Sequence, residues 1–127
     1  MSEDQLPATI VICVSGDSLI REEAKFGFPS GVETHLAGDA REALSSMEEM
    51  TPAVVVVDIQ SGSAGGFALA REMSQIPRLA GVPILFLLER TQDEWLAREA
   101  GAAGSAVKPI DTEELVELVL GLIPAAA

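Results

Sequence analysis

Residues 53–58 read Ala-Val-Val-Val-Val-Asp, and no other stretch constrains the fold as tightly. Consecutive side chains of a strand point to opposite faces, so four valines in a row need cover on both sides. β-branching favours the extended chain over the helix. Two further runs share this character: "TIVICV" (9–14) and "GVPILFLL" (81–88). "VETHL" (32–36) alternates weakly, as an edge-side strand does, and "SAVKP" (105–109) reads as a short fifth strand. Helical patterns separate them. Residues 19–28 follow the cap candidates Asp17 and Ser18 and set Leu19, Ile20 and Ala24 on one side. Residues 38–50 space Ala40, Ala43, Leu44 and Met47 for a helix. Gly66 opens a third, with Phe67, Leu69, Ala70 and Met73 as its apolar side. Residues 91–101 form a fourth, with Leu96 and Ala100 at core positions. Asp111 caps the last, and Glu114 stands at capping-box spacing. Five strands alternating with five helices predict βαβ units and a doubly wound parallel sheet.

At 127 residues the expectation is one domain over residues 9–123, with short tails at 1–8 and 124–127. The single Cys13 excludes an internal disulfide, and no Cys/His spacing suggests zinc. The first residues carry acids and a proline without a basic region, unlike a signal peptide. No apolar run nears the roughly 20 residues that span a bilayer. A cytoplasmic protein is expected. The net charge of −12 argues against direct binding to nucleic acid or anionic membrane, because both select for clustered Lys and Arg.

In a doubly wound sheet the chemistry lies beyond the carboxyl ends of the strands. The tips here are Ser15–Gly16–Asp17, Asp58, Leu88–Glu89 and Lys108–Pro109. Asp58 is therefore expected at an exposed tip, ionised without being entombed. Lys108 would pair with it and tie the third strand to the fifth. Ser15–Gly16–Asp17–Ser18 reads as a tight turn with an ordinary helix cap, with an anion cradle as the alternative. "SGSAGG" (61–66) reads equally as a binding loop or as glycine-permitted turns. Cys13 reads as a small core residue, and His35 as an isolated polar-facing one. Glu22, Glu23, Glu48 and Glu49 read as solvated helix surface.

The order of these pieces resembles the two-component response-regulator receiver domain over about residues 8–123. The resemblance rests on the acid after the third strand, Gly66–Phe67 eight residues later, "GDAREAL" at the second helix, "PILFL" before the fourth, and "AGAAGSAVKP". It implies a flavodoxin-like five-stranded α/β sandwich of strand order 2-1-3-4-5. Asp58 then matches the phosphoacceptor, Lys108 the lysine that pairs with the phosphoryl group, and Pro109 the proline beside it. The family's two metal-holding acids fall on Ser15 and Gly16. Its Thr/Ser at the end of the fourth strand falls on Leu88, and its aromatic switch residue on Ser105. None of these four keeps the family's chemistry. Mg²⁺ prefers octahedral oxygen ligands with at least one or two carboxylates, and one aspartate with a serine hydroxyl is a poor cage.

The expected function is therefore that of a pseudo-receiver: a non-enzymatic, cofactor-free protein-interaction or dimerisation module that works without phosphorylation. Val116, Leu120 and Ile123 form a second apolar row on the last helix, and Trp95 stands on the fourth. This helix-four/helix-five face is the candidate contact for a protein partner or a second copy. One alternative is a working phosphoacceptor at Asp58, holding Mg²⁺ by unusual ligation and served by a histidine kinase. Another is a small-molecule binder at the strand-tip cleft.

Overall fold

The computed structural model describes residues 9–59 and 65–123. The tails expected at 1–8 and 124–127, and most of the glycine-rich loop 61–66, lie outside them. Strands β1 (Thr9–Val14), β2 (Val32–Ala37), β3 (Val54–Asp58), β4 (Ile84–Leu88) and β5 (Gly104–Val107) form one parallel sheet in the order β2-β1-β3-β4-β5. Helices α1 (Ser18–Phe26), α2 (Ala40–Ser46), α3 (Gly65–Ser74), α4 (Glu94–Glu99) and α5 (Thr112–Leu122) connect and cover it. This is the flavodoxin-like doubly wound architecture.

The valine run is buried as its composition demands. Val55 and Val57 join Ile12, Phe86 and Leu88 in one core, with Leu69 and Met73 of α3. Val54 and Val56 join Val11, Cys13 and Leu87 in the other, with Ile20 of α1 and Leu115 and Val119 of α5. Fully burying such a side chain contributes roughly 1.5–3 kcal/mol, so the two-sided strands dominate the stability. β2, the weakly alternating segment, lies at the sheet edge.

The helix starts follow their caps. Asp17 accepts from the Leu19 and Ile20 amides, Asp39 from Glu42, and Asp111 from Glu114. Two helical faces differ from expectation. Leu19 is 69% exposed, and α1 instead buries Ile20 and Ala24. Gly27, just past α1, meets α5, where an added Cβ would lie 2.5 Å from Thr112 Cγ2. That close approach turns the buried stripe of α1 away from Leu19. On α4 the buried residue is Ala97, while Leu96 and Ala100 are half-buried. A 3₁₀ turn, Thr91–Asp93, takes the first part of that segment, so the helix proper starts at Glu94 with a different face inward.

Candidate functional site at the strand tips

Parallel register brings the site together. Val14 pairs with Val57, which sets Ser15 level with Asp58, and Asp58 pairs with Leu87. Leu88 pairs with Val107, so Lys108 follows directly at the next tip. The Lys108–Pro109 peptide bond is cis.

Asp58 is held from two sides. The Ser15 hydroxyl donates to its Oδ2 at 2.7 Å. The Lys108 ammonium donates to its Oδ1 and to the Ile59 carbonyl, the latter at 3.3 Å. The Asp58 side chain exposes 0% of its surface and that of Lys108 17%. The expectation of an exposed carboxylate is thus corrected. The strand tip does reach the working edge, but Ser15 and Lys108 close over it. Sequence reasoning saw the lysine pairing and missed the serine as a ligand of the acid. The matching of β1 with β3, which sets Ser15 just past β1 level with Asp58, is the signal that would have found it.

A second cation enters from α1. Arg21 is half-buried, and its Nη1 donates to the Ser15 carbonyl at 2.9 Å. The Asp17 amide donates to the Ser15 hydroxyl at 3.0 Å, so that oxygen both gives and receives. Nothing in the sequence singled out Arg21, because its role depends on the turn between β1 and α1 folding back on itself. Beneath the tips, burial pushes the Cys13 thiol up to about 12. The negative charge of Asp58 adds to that rise and the positive charge of Arg21 opposes it. Cys13 is therefore an inert core thiol, as expected, and both charges reach it.

Gly16 is exposed, with open space where a Cβ would stand. Leu88 is fully buried in the core with Phe86, and its side chain offers no polar atom to the site. Ser105 is half-buried on β5 opposite Phe86, whose ring packs on Phe67 with centroids 5.0 Å apart. His35 bonds to Glu33 at the sheet edge, away from the tips. Asp17 serves as the α1 cap, which bears out the turn-and-cap reading of 15–18.

A divalent cation fits this donor set poorly. Asp58 has a hydroxyl on one carboxylate oxygen and an ammonium on the other, and the nearby Asp17 and Asp39 carboxylates cap α1 and α2. The adjacent carbonyl of Ser15 is taken by a guanidinium. Among the described residues no group of three His, Cys, Asp or Glu side chains gathers that could hold a metal. The described walls beside Asp58, from Gly16 to Asp39 and Gly66, enclose a shallow cleft of about 120 Å³. Ligand pockets usually begin near 300 Å³.

The proposed contact face also divides on inspection. Val116 lies against Gly27, so α1 covers part of it. Ile123 packs on the core beside Leu115 and Val119, so it belongs to the interior rather than to a free row. Leu120 is 38% exposed and Trp95 56%, on separate helices.

A parallel sheet of this order, with an acid–lysine pair across the tips of its third and fifth strands, defines a flavodoxin-like doubly wound α/β domain with a charged strand-tip site. The response regulator receiver domain family matches residues 11–120, and the chain belongs to that family. The DNA-binding response regulator MtrA of Mycolicibacterium smegmatis is 32% identical over 91 residues, covering 70% of this chain but 39% of MtrA. The chain thus spans about two fifths of that relative's length. An uncharacterised 14.6 kDa protein of Leptolyngbya boryana is 29% identical over 112 residues, 86% of either chain. The chemotaxis response regulator CheY4 of Vibrio cholerae superposes with a TM-score of 0.82 at 24% identity, covering 91% of this chain and 99% of CheY4. That last likeness shows the fold alone. No helix among the described residues is long and apolar enough to cross a membrane.

Proposed function

We propose that this receiver domain works without phosphorylation, as a non-enzymatic, cofactor-free protein-interaction module of two-component signalling. The observation that carries the reading is the closure over Asp58. Both carboxylate oxygens are engaged by protein groups, and the side chain has no exposed surface. Phosphoryl transfer depends on positioning an accessible nucleophile and neutralising developing charge, usually with metal ions. Here the family's two metal-holding positions are Ser15 and Gly16. Ser15 is itself a ligand of the acid. A buried carboxylate paired with an ammonium and a hydroxyl acts as a fixed internal strut between β1, β3 and β5.

The competing reading is a phosphoacceptor at Asp58, served by a histidine kinase. It is favoured by the aspartate and lysine standing together at the tips. Beryllofluoride with Mg²⁺, a mimic of the phosphoryl group, separates the two. Amide spectra of the ¹⁵N-labelled chain are expected to stay unchanged around Asp58, Leu88 and Lys108. Incubation with acetyl phosphate is expected to add no acid-stable, hydroxylamine-labile phosphate. Saturable beryllofluoride shifts, or incorporation lost in Asp58→Asn, overturn the proposal in favour of phosphoacceptance.

A further inference from the structure

At the end of the sheet opposite Asp58, where β1, β3 and β4 begin, lies a groove of about 440 Å³. β1 is six residues long, so roughly 17 Å separate this groove from the tips. Its volume falls within the range of ligand pockets, which the tip cleft does not reach. Thr9 and Ile10 line it from β1, Thr51 from the loop before β3, Val82 and Pro83 from the loop before β4, and Ile123 from the end of α5. Backbone hydrogen bonds fix these walls. The Thr9 amide donates to the Gly31 carbonyl at 3.0 Å, Ala53 to Ile10 at 2.7 Å, and Val55 to Pro83 at 3.0 Å. The groove is therefore preformed, which spares a ligand the cost of ordering it.

Among the described residues, no ionisable side chain lines the groove, although 22% of the chain is charged. One cation stands at its rim. The Arg78 guanidinium is pinned by two acceptors: Nη1 donates to the Thr51 hydroxyl at 3.1 Å, and Nη2 to the Met47 carbonyl. Thr51 lines the groove, so the guanidinium lies one hydrogen bond from its wall. Arg78 is exposed and pairs with no carboxylate among the described residues, so further N–H donors remain on a fixed, planar group. The charge of −12 is screened beyond about 8 Å at physiological salt, so distant acids count for little against a guanidinium at the rim. We infer that this groove binds a small amphipathic carboxylate. Its apolar body, about eight carbons long, lies against Ile10, Val82, Pro83 and Ile123, and its carboxylate takes the remaining Arg78 donors. Such a ligand gives the interaction module a chemical input remote from Asp58, independent of whether Asp58 accepts phosphate.

Octanoate is the probe, with octanamide as its neutral counterpart and octylammonium as its cationic one. Titrated into the ¹⁵N-labelled chain at about 150 mM salt, octanoate is expected to shift the Thr9, Ile10, Thr51 and Val82 amides saturably, with a Kd of about 1 mM or tighter. Octanamide and octylammonium are expected to bind there at least about tenfold more weakly, because neither makes the charge-assisted hydrogen bonds. Arg78→Gln is expected to weaken octanoate by a similar factor, with circular dichroism verifying the fold. Gly81 also lines the groove and has open space where a Cβ would stand, so Gly81→Phe fills the groove without touching Arg78. It is expected to weaken octanoate at least about tenfold as well. Octanamide or octylammonium binding as tightly as octanoate overturns the inference, since apolar contact alone would then suffice. So does a lack of saturation by about 10 mM, a set of shifts centred on the strand tips, or undiminished binding to folded Arg78→Gln or Gly81→Phe chains. Shifts at the same residues on concentrating the ligand-free chain also overturn it, and assign the groove to a second copy.

Discussion

The side chain of Asp58 has no exposed surface, so protein groups rather than water balance its charge. Lys108 supplies the counter-charge, Ser15 a hydrogen bond, and Arg21 a further positive charge one residue away. Removing one member of a buried pair leaves the other charge uncompensated, which costs more than the pair contributes. Lys108→Met is therefore expected to destabilise the chain by about 3 kcal/mol in urea unfolding. Asp58→Asn alone is expected to cost less, because the 17% exposure of Lys108 lets water reach the ammonium. The double variant should fall short of the sum by at least about 1 kcal/mol, the signature of direct coupling. Additive losses would mean that the two groups are neighbours without being partners. The lysine half of this network could be read from the sequence, since both residues end strands. The Ser15 part needed the strand register that sets it level with Asp58, and the Arg21 part was out of reach, because it depends on where the tight turn after β1 sends a short-range hydrogen bond.

Element by element, legibility followed how completely a segment is buried. The valine strand and β4 stood out because two-sided burial leaves nothing but apolar residues. Helix faces were harder to read, because glycine and alanine make close contacts that a search for large apolar residues overlooks. Gly27 against α5 turned Leu19 outward, and Ala97 took the place given to Leu96. Gly66 is the same effect on α3. A Cβ there would meet the Ile59 side chain and stand 2.6 Å from Val57 Cγ1, in the fully packed core. Gly121, also helical, has open space around it. Alanine stabilises a helix relative to glycine by about 1 kcal/mol, while overpacking a core costs about 1–3 kcal/mol. Gly121→Ala is thus expected to raise stability by up to about 1 kcal/mol, and Gly66→Ala to lower it by about 1–2 kcal/mol. Chemical denaturation of the two variants should give opposite signs. A stabilised Gly66→Ala would show that α3 can shift away from β3 without loss.

For the molecule as a whole, 20 acids face 8 bases. Lys108–Asp58 and Arg90–Asp93 are ion pairs, but eight bases cannot match 20 acids one to one, so the net charge stays at −12. In about 10 mM salt the screening length is roughly 30 Å, so every surface acid feels the others; in about 150 mM it is roughly 8 Å. Sodium chloride over that range should relieve self-repulsion by on the order of 1 kcal/mol, raising Tm by about 4 °C. A specific magnesium site would do something different. Ligand present at about a hundredfold over its Kd adds about 2.7 kcal/mol, well beyond screening. Thermal melts in MgCl₂ and in NaCl of matched ionic strength are therefore expected to agree within about 2 °C, because the Asp58 oxygens are already engaged. Asp58→Asn is the control: any excess of magnesium over sodium that survives it comes from general attraction to an acidic surface. A magnesium excess of about 5 °C or more that vanishes in Asp58→Asn would locate a divalent site at the tips, and the closed acid–lysine pair would then be one of two states rather than a permanent strut.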